Sequence, residues 1–151
     1  MPKFVLDHVA VAVRSIKAAV PLFRDALGGE FLMGGDVDGR WRWAQFRFPG
    51  GGKVELLEAL DEGFLSRFLD RYGEGLHHIT FKTDDIEAAI AQVEANGYEL
   101  VDKSLENEHW KEAFLRPSGA HGTLIQIAQS AHPDDVVKEY LQPSNIDDLL
   151  G

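Results

Sequence analysis

Apolar and polar positions along the chain follow two rhythms, and the same succession of rhythms occurs twice. Val9–Val13 and Ile79–Thr83 are short, β-branched runs of the kind that form strands. Each leads into a helical spacing: Ile16, Val20, Phe23 and Leu27 in the first case, Ile86, Ile90 and Val93 in the second. Ser15 in one, and Asp84 or Asp85 in the other, stand where a side-chain oxygen can cap a first helical turn. Gly28 and Gly97 stand where those helices would end in a left-handed residue. Strand-like stretches follow in each half. They are Glu30–Met33, Trp41–Phe48 and Lys53–Leu57, then Glu99–Val101, Ala113–Leu115 and Thr123–Ala128. The turns Pro49–Gly52 and Pro117–Gly122 precede the last strand of each set.

Residues 6–27 align with 76–97 without a gap at an offset of 70, with Leu6/Leu76, His8/His78, Ile16/Ile86, Ala18/Ala88 and Ala19/Ala89 identical. An internal repeat of this kind bears on the whole fold. The pattern predicts an α+β protein of two tandem βαβββ modules, over 1–60 and 74–129, joined by a helix over 61–73. Residues 130–151 read as a helical and acidic extension, opening at His132-Pro133-Asp134 and carrying Val136, Val137, Tyr140 and Leu141 on its apolar side.

The repeat also pairs polar residues. Alternation along a strand places His8 with Leu6, Ala10 and Ala12 on one face, and His78 holds the equivalent place in the second module. In the last strands, Val54–Glu58 lies opposite Ile125–Gln129, which pairs Glu55 with Gln126. The spacings His8 to Glu55 and His78 to Gln126 are 47 and 48 residues. Glu55 and Gln126 each sit among apolar neighbours, where an unpaired polar group is costly. Two imidazoles, a carboxylate and an amide oxygen related by a pseudo-twofold axis suit a divalent first-row metal with open positions. His77 should point away from that face and is read as structural, and His109, His121 and His132 as surface residues. Trp41, Trp43, Gln45 and Arg47 share one face of a strand, with Phe46 and Phe48 on the other. The tryptophans either line a substrate pocket or cover the core or a dimer interface. Arg47, Lys53 and Arg116 are either ordinary solvated charges or partners for a substrate carboxylate or phosphate.

Composition narrows the chemistry further. The 151 residues are 44% hydrophobic and 26% charged, an ordinary globular balance. A net charge of −10 argues against nucleic acid as partner and against long-range attraction of a polyanion. With no cysteine, disulfides, thiolate nucleophiles and zinc–thiolate sites are excluded. The N-terminus lacks a signal-peptide pattern and no apolar stretch has the length of a membrane span, so a cytoplasmic protein without a membrane partner is expected.

The segments LDHVAVAV, KVELLE, GLHHITF and PSGAHGTLIQIAQ resemble the vicinal oxygen chelate superfamily, and within it the methylmalonyl-CoA epimerases and their glyoxalase-like relatives. The resemblance covers residues 4–129. It implies paired βαβββ modules forming a curved mixed sheet around a metal cleft, with ligands drawn from His8, Glu55, His78 and Gln126. It implies one divalent ion (Zn, Co, Ni, Mn or Fe) and a substrate of acyl-CoA or hemithioacetal type. The epimerases usually carry Glu where this chain has Gln126, and an amide cannot accept a proton from carbon. A second epimerase base, in the stretch before the third strand, has only Asp36 and Asp38 as counterparts. Glu55 is then the expected base, with Trp43, Gln45, Arg47 and Arg116 as substrate contacts. The leading expectation is a metal-dependent isomerase or lyase working through an enediolate, as a homodimer. The alternatives are a non-enzymatic, resistance-type binding protein and, last, a ring-cleaving dioxygenase.

Overall fold

The computed structural model describes residues 1–131, 133–134 and 145–151. His132 and the helix expected to carry Val136, Val137, Tyr140 and Leu141 lie outside the described residues. The element order is β1 (Phe4–Ala12), α1 (Ile16–Val20), β2 (Glu30–Val37), β3 (Trp41–Arg47), β4 (Lys53–Ala59), α2 (Phe64–Tyr72), β5 (Gly75–Thr83), α3 (Ile86–Ala95), β6 (Val101–Ser104), β7 (Trp110–Leu115), β8 (Ile125–Ser130) and α4 (Ile146–Leu150). This is βαβββ twice. The strands form an eight-stranded mixed sheet in the order β2-β3-β4-β1-β5-β8-β7-β6. In each module the first and last strands pair parallel, β1 with β4 and β5 with β8, and the others antiparallel.

The chain packs as two compact units, Val9–His77 with Asp134–Gly151, and Met1–His8 with His78–Pro133. In the first, Ile16 and Val20 of α1 pack with Ala44, Phe46 and Leu56 of the sheet and Ile146 and Leu149 of α4. On the other face, Leu65 and Leu69 of α2 cover Ala10, Ala12 and Leu57, with Trp41 and Trp43 against them. Phe46 and Phe48 therefore face α1, away from the tryptophans, as strand alternation requires. In the second unit, Ile86, Ala89 and Ile90 of α3 pack on Ala113 and Ile127.

Helix starts follow the expected chemistry. Ser15 Oγ accepts from the Ala18 N–H at 3.1 Å, and Asp85, rather than Asp84, accepts from the Ala88 N–H at 3.0 Å. A second cap comes from the last strand of each module. Glu58 accepts from the Ile16 N–H at 2.7 Å, and Gln129 accepts from the Ile86 N–H at 2.8 Å. Gly28 and Gly97 take φ values of 77° and 91°, left-handed conformations that glycine adopts without steric cost.

The first helix departs from regular α geometry. Pro21 has no N–H to donate and its ring crowds the preceding turn. The α-helix ends at Val20, and Pro21–Ala26 form a π-helical turn closed by the Leu27 N–H to the Leu22 carbonyl at 3.0 Å. At the C-terminus, Asn145 caps α4 through the Asp148 N–H at 2.9 Å. Asp147 and Asp148 fill its first turn, where the helix dipole favours negative charge.

Candidate metal centre and its surroundings

His8 and His78 lie on β1 and β5, and Glu55 on β4. Ala10 of β1 stands directly opposite Glu55, and His8 is one pleat back along the same strand face. The two imidazole rings meet edge to face, with centroids 5.8 Å apart and planes at 70°. One ligand-capable atom from each of His8, Glu55 and His78 lies within 4.8 Å of the others. Donors about 2.1 Å from a divalent ion stand up to about 4.2 Å apart, so this triad can close on an ion with small side-chain adjustments. His8 is only 4% exposed and Glu55 8%.

An aspartate that strand alternation would send to the opposite face completes the surroundings of His8. Asp7 Oδ2 stands 2.7 Å from His8 Nδ1, and Lys82 Nζ lies 3.6 Å from Asp7 Oδ1. A proton held on Nδ1 by a carboxylate leaves the Nε2 lone pair as the donor, the arrangement that orients metal-binding histidines elsewhere. Donor chemistry and spacing therefore both fit a divalent first-row ion.

Gln126 is 9% exposed, and both ends of its carboxamide are held. Its Oε1 accepts from the Thr80 hydroxyl at 2.7 Å, and its Nε2 donates to Glu112 Oε2 at 3.3 Å. Glu112 Oε1 in turn accepts from the Trp110 indole N–H at 2.9 Å. Lys82 Nζ sits 5.8 Å from the centre of the Trp110 ring. Sequence spacing did not single out Asp7 or Glu112. Glu112 meets Gln126 only through the β7–β8 pairing, in which Phe114 opposes Gln126 and Glu112 opposes Ala128.

Gln45 lies directly opposite Glu55 on β3. It is 6% exposed, and its buried Oε1 has no hydrogen-bond partner among the described residues. Trp43, half-buried, opposes Leu57, and Arg47 opposes Lys53. Lys53 is buried and donates to Asp134 Oδ2 at 2.6 Å. Arg116 is exposed beyond the end of β7. Asp36 accepts from Nε and one terminal nitrogen of the Arg42 guanidinium at 2.6 and 2.9 Å, which hold its carboxyl below the usual range. Asp38 is exposed in the β2–β3 turn at φ 51°. His77 packs against Phe64 and Phe68, with ring centroids at 5.7 and 4.8 Å, and burial pushes its pKa down against an opposing pull from Glu55. His109 and His121 are exposed.

Comparison with known proteins identifies the family. The profile of the Glyoxalase/Bleomycin resistance protein/Dioxygenase superfamily matches residues 7–114, and the chain belongs to that superfamily. An ethylmalonyl-CoA/methylmalonyl-CoA epimerase of Cereibacter sphaeroides is 31% identical over 129 residues, covering 82% of this chain and 96% of that protein. An uncharacterized Bacillus subtilis protein, YqjC, is 30% identical over 127 residues, covering 82% and 91%. A Streptomyces coelicolor methylmalonyl-CoA epimerase variant in complex with 2-nitronate-propionyl-CoA superposes with a TM-score of 0.73 at 28% identity, covering 84% and 94%.

Proposed function

We propose that the protein is a divalent-metal-dependent isomerase of the epimerase type, acting at the α-carbon of an acyl-CoA such as methylmalonyl-CoA. The observation that carries this reading is the His8–Glu55–His78 donor cluster in a chain whose relatives include methylmalonyl-CoA epimerases along four-fifths of its length. His8, Glu55 and His78, with the carbonyl oxygen of Gln126, are the residues that would hold the ion. When bound, it supplies a Lewis acid for the substrate oxygens and stabilises the charge that develops there.

Glu55 is the proton-accepting member of that set, because a carboxylate giving one oxygen to an ion keeps a second as a base, whereas an imidazole engaged as a ligand and an amide at residue 126 cannot serve. Its carboxylate takes the α-proton and the C–H electron pair moves into the thioester carbonyl to give an enolate; solvent water returns a proton to the opposite face, and the hydroxide so formed takes the proton back from Glu55, giving the epimer. Arg47, opposite Lys53 where β3 pairs with β4, offers positive charge to a substrate carboxylate or phosphate despite the acidic balance of the chain, and Arg116, exposed beyond the end of β7, is a second candidate cation. Trp43 supplies an apolar wall, and the Gln45 carbonyl an acceptor for a substrate N–H or O–H.

Elemental analysis of wild type and His8→Ala, combined with deuterium exchange at C2 of methylmalonyl-CoA in D2O, tests the proposal. The expected result is a near-stoichiometric divalent ion that is lost in the variant, with exchange abolished by Glu55→Gln and by His78→Ala. Failure of wild type to retain metal after loading with zinc, cobalt, nickel or manganese, together with no exchange, sinks it.

A further inference from the structure

We propose that Glu112 is a positioning residue for Gln126, fixing its carbonyl oxygen as a neutral oxygen donor; the inference rests on the metal reading above. A carboxamide has two faces of nearly equal shape and opposite polarity, so something must decide which end points where. The Thr80 hydroxyl cannot decide it, because a hydroxyl donates or accepts as required. Glu112 can, because an ionised carboxylate only accepts. With one oxygen taken by the Trp110 indole N–H, the other at 3.3 Å from Gln126 Nε2 is satisfied only by the NH2 end. The oxygen end is thereby turned to Thr80, one pleat along the β5 face from His78.

The same contact explains why residue 126 is an amide. A glutamate there would set two carboxylates at about the separation of the present hydrogen bond, with like charges in a half-buried setting. The carboxylate of this module stands one strand over, on β7, and the neutral isostere stands on β8. Gln126 and Glu112 form one unit, in which the second determines what the first presents.

Chelator competition for Co²⁺ with visible spectroscopy, on wild type, Glu112→Leu, Gln126→Ala and the double variant, tests the coupling. Thermal unfolding of the metal-free forms is followed in parallel. Glu112→Leu removes the acceptor, frees the amide to invert, and is expected to lower cobalt affinity about 10- to 100-fold, the range seen when a group that orients a ligand is lost, with altered d–d bands. In the Gln126→Ala background the same change is expected to cost nothing further, because Glu112 acts through Gln126. If Glu112→Leu lowers the metal-free Tm, the affinity and spectrum of Glu112→Gln, which loses one acceptor, decide in its place. Wild-type affinity and bands in both Glu112 variants, or an undiminished loss in the Gln126→Ala background, overturn this proposal alone. No cobalt bound by wild type overturns the metal reading and this proposal with it.

Discussion

Replacing Asp7 with alanine isolates the contribution of a residue that touches the imidazole of His8, a candidate ligand, without being a donor itself. Asp7 stands 2.7 Å from His8 Nδ1, with side chains 10% and 3% exposed, so water cannot readily replace the lost acceptor. Hydrogen bonds to charged groups contribute about 1.5–3 kcal/mol when buried. Loss of the group that holds a ligating imidazole typically weakens metal binding by about 10- to 100-fold, equivalent to about 1.4–2.7 kcal/mol. The two ranges agree, so Asp7→Ala is expected to lower zinc affinity by that factor. Asp7→Asn keeps an acceptor for the Nδ1 proton and loses only the charge, and its affinity is expected to fall less than 10-fold. Titration against a chelator of known affinity measures both, and the metal-free Tm separates ligand orientation from general destabilisation. Lys82 loses an ion-pair partner at 3.6 Å in both variants, so a shared effect through Lys82 would make them equally weak. Equal losses, or wild-type affinity in Asp7→Ala, refute the argument that the carboxylate acts by orienting His8.

Three further outcomes follow from the packing. The His77 ring is held neutral by burial, so between its depressed folded value and the ordinary 6.5 the unfolded chain binds more protons and stability falls as pH drops through 6.5. His77→Phe, which keeps the contacts with Phe64 and Phe68, should lose less Tm than wild type between about pH 7.5 and 5, and an equal loss counts against this. A Cβ at Gly34 would meet the Trp43 carbonyl at 2.6 Å and Leu149 Cδ2 at 2.9 Å, so Gly34→Ala should cost about 1–3 kcal/mol in urea unfolding; an unchanged midpoint would show that both β3 and α4 yield freely. Ser15→Ala and Asp85→Ala each remove one N-cap and should each cost about 1 kcal/mol by the same measurement, adding in the double variant because they cap different helices.

The repeated order of strands and helices was legible because each element is short, amphipathic and punctuated by a capping residue or glycine. The grouping of the candidate donors His8, Glu55 and His78 was legible for the same reason: the repeat pairs His8 with His78, and Glu55 with Gln126, at nearly the same offset on known strand faces. Element ends were harder to read. β1 and β5 begin at Phe4 and Gly75, several residues before their β-branched runs, because strand pairing continues through exposed residues such as Val5, Leu6 and Leu76 that periodicity ignores. β6 runs over Val101–Ser104, a mostly exposed edge strand whose polar side chains give no alternating signal. Pro21 within a helical spacing signals an interruption, but not that the chain would answer it with a wider turn. Asp7 and Glu112 escaped because their importance lies in a neighbour's orientation: Asp7 falls on the wrong parity of its strand, and Glu112 meets Gln126 only across a register that spacing does not reveal.

The paired caps on α1 and α3 show where the two copies differ. At residues 58 and 129, and again at 55 and 126, the first copy holds a glutamate and the second a glutamine. In the caps, each side chain still delivers one oxygen to one backbone N–H, at 2.7 and 2.8 Å. Shape and acceptor are the same in both copies, while the second carries two fewer formal charges at these positions. The molecule therefore contains its own matched comparison of an acid with its amide, at a helix cap and again at the candidate centre. Exchanging glutamate and glutamine between copies, one position at a time, would separate what the fold requires from what the chemistry requires.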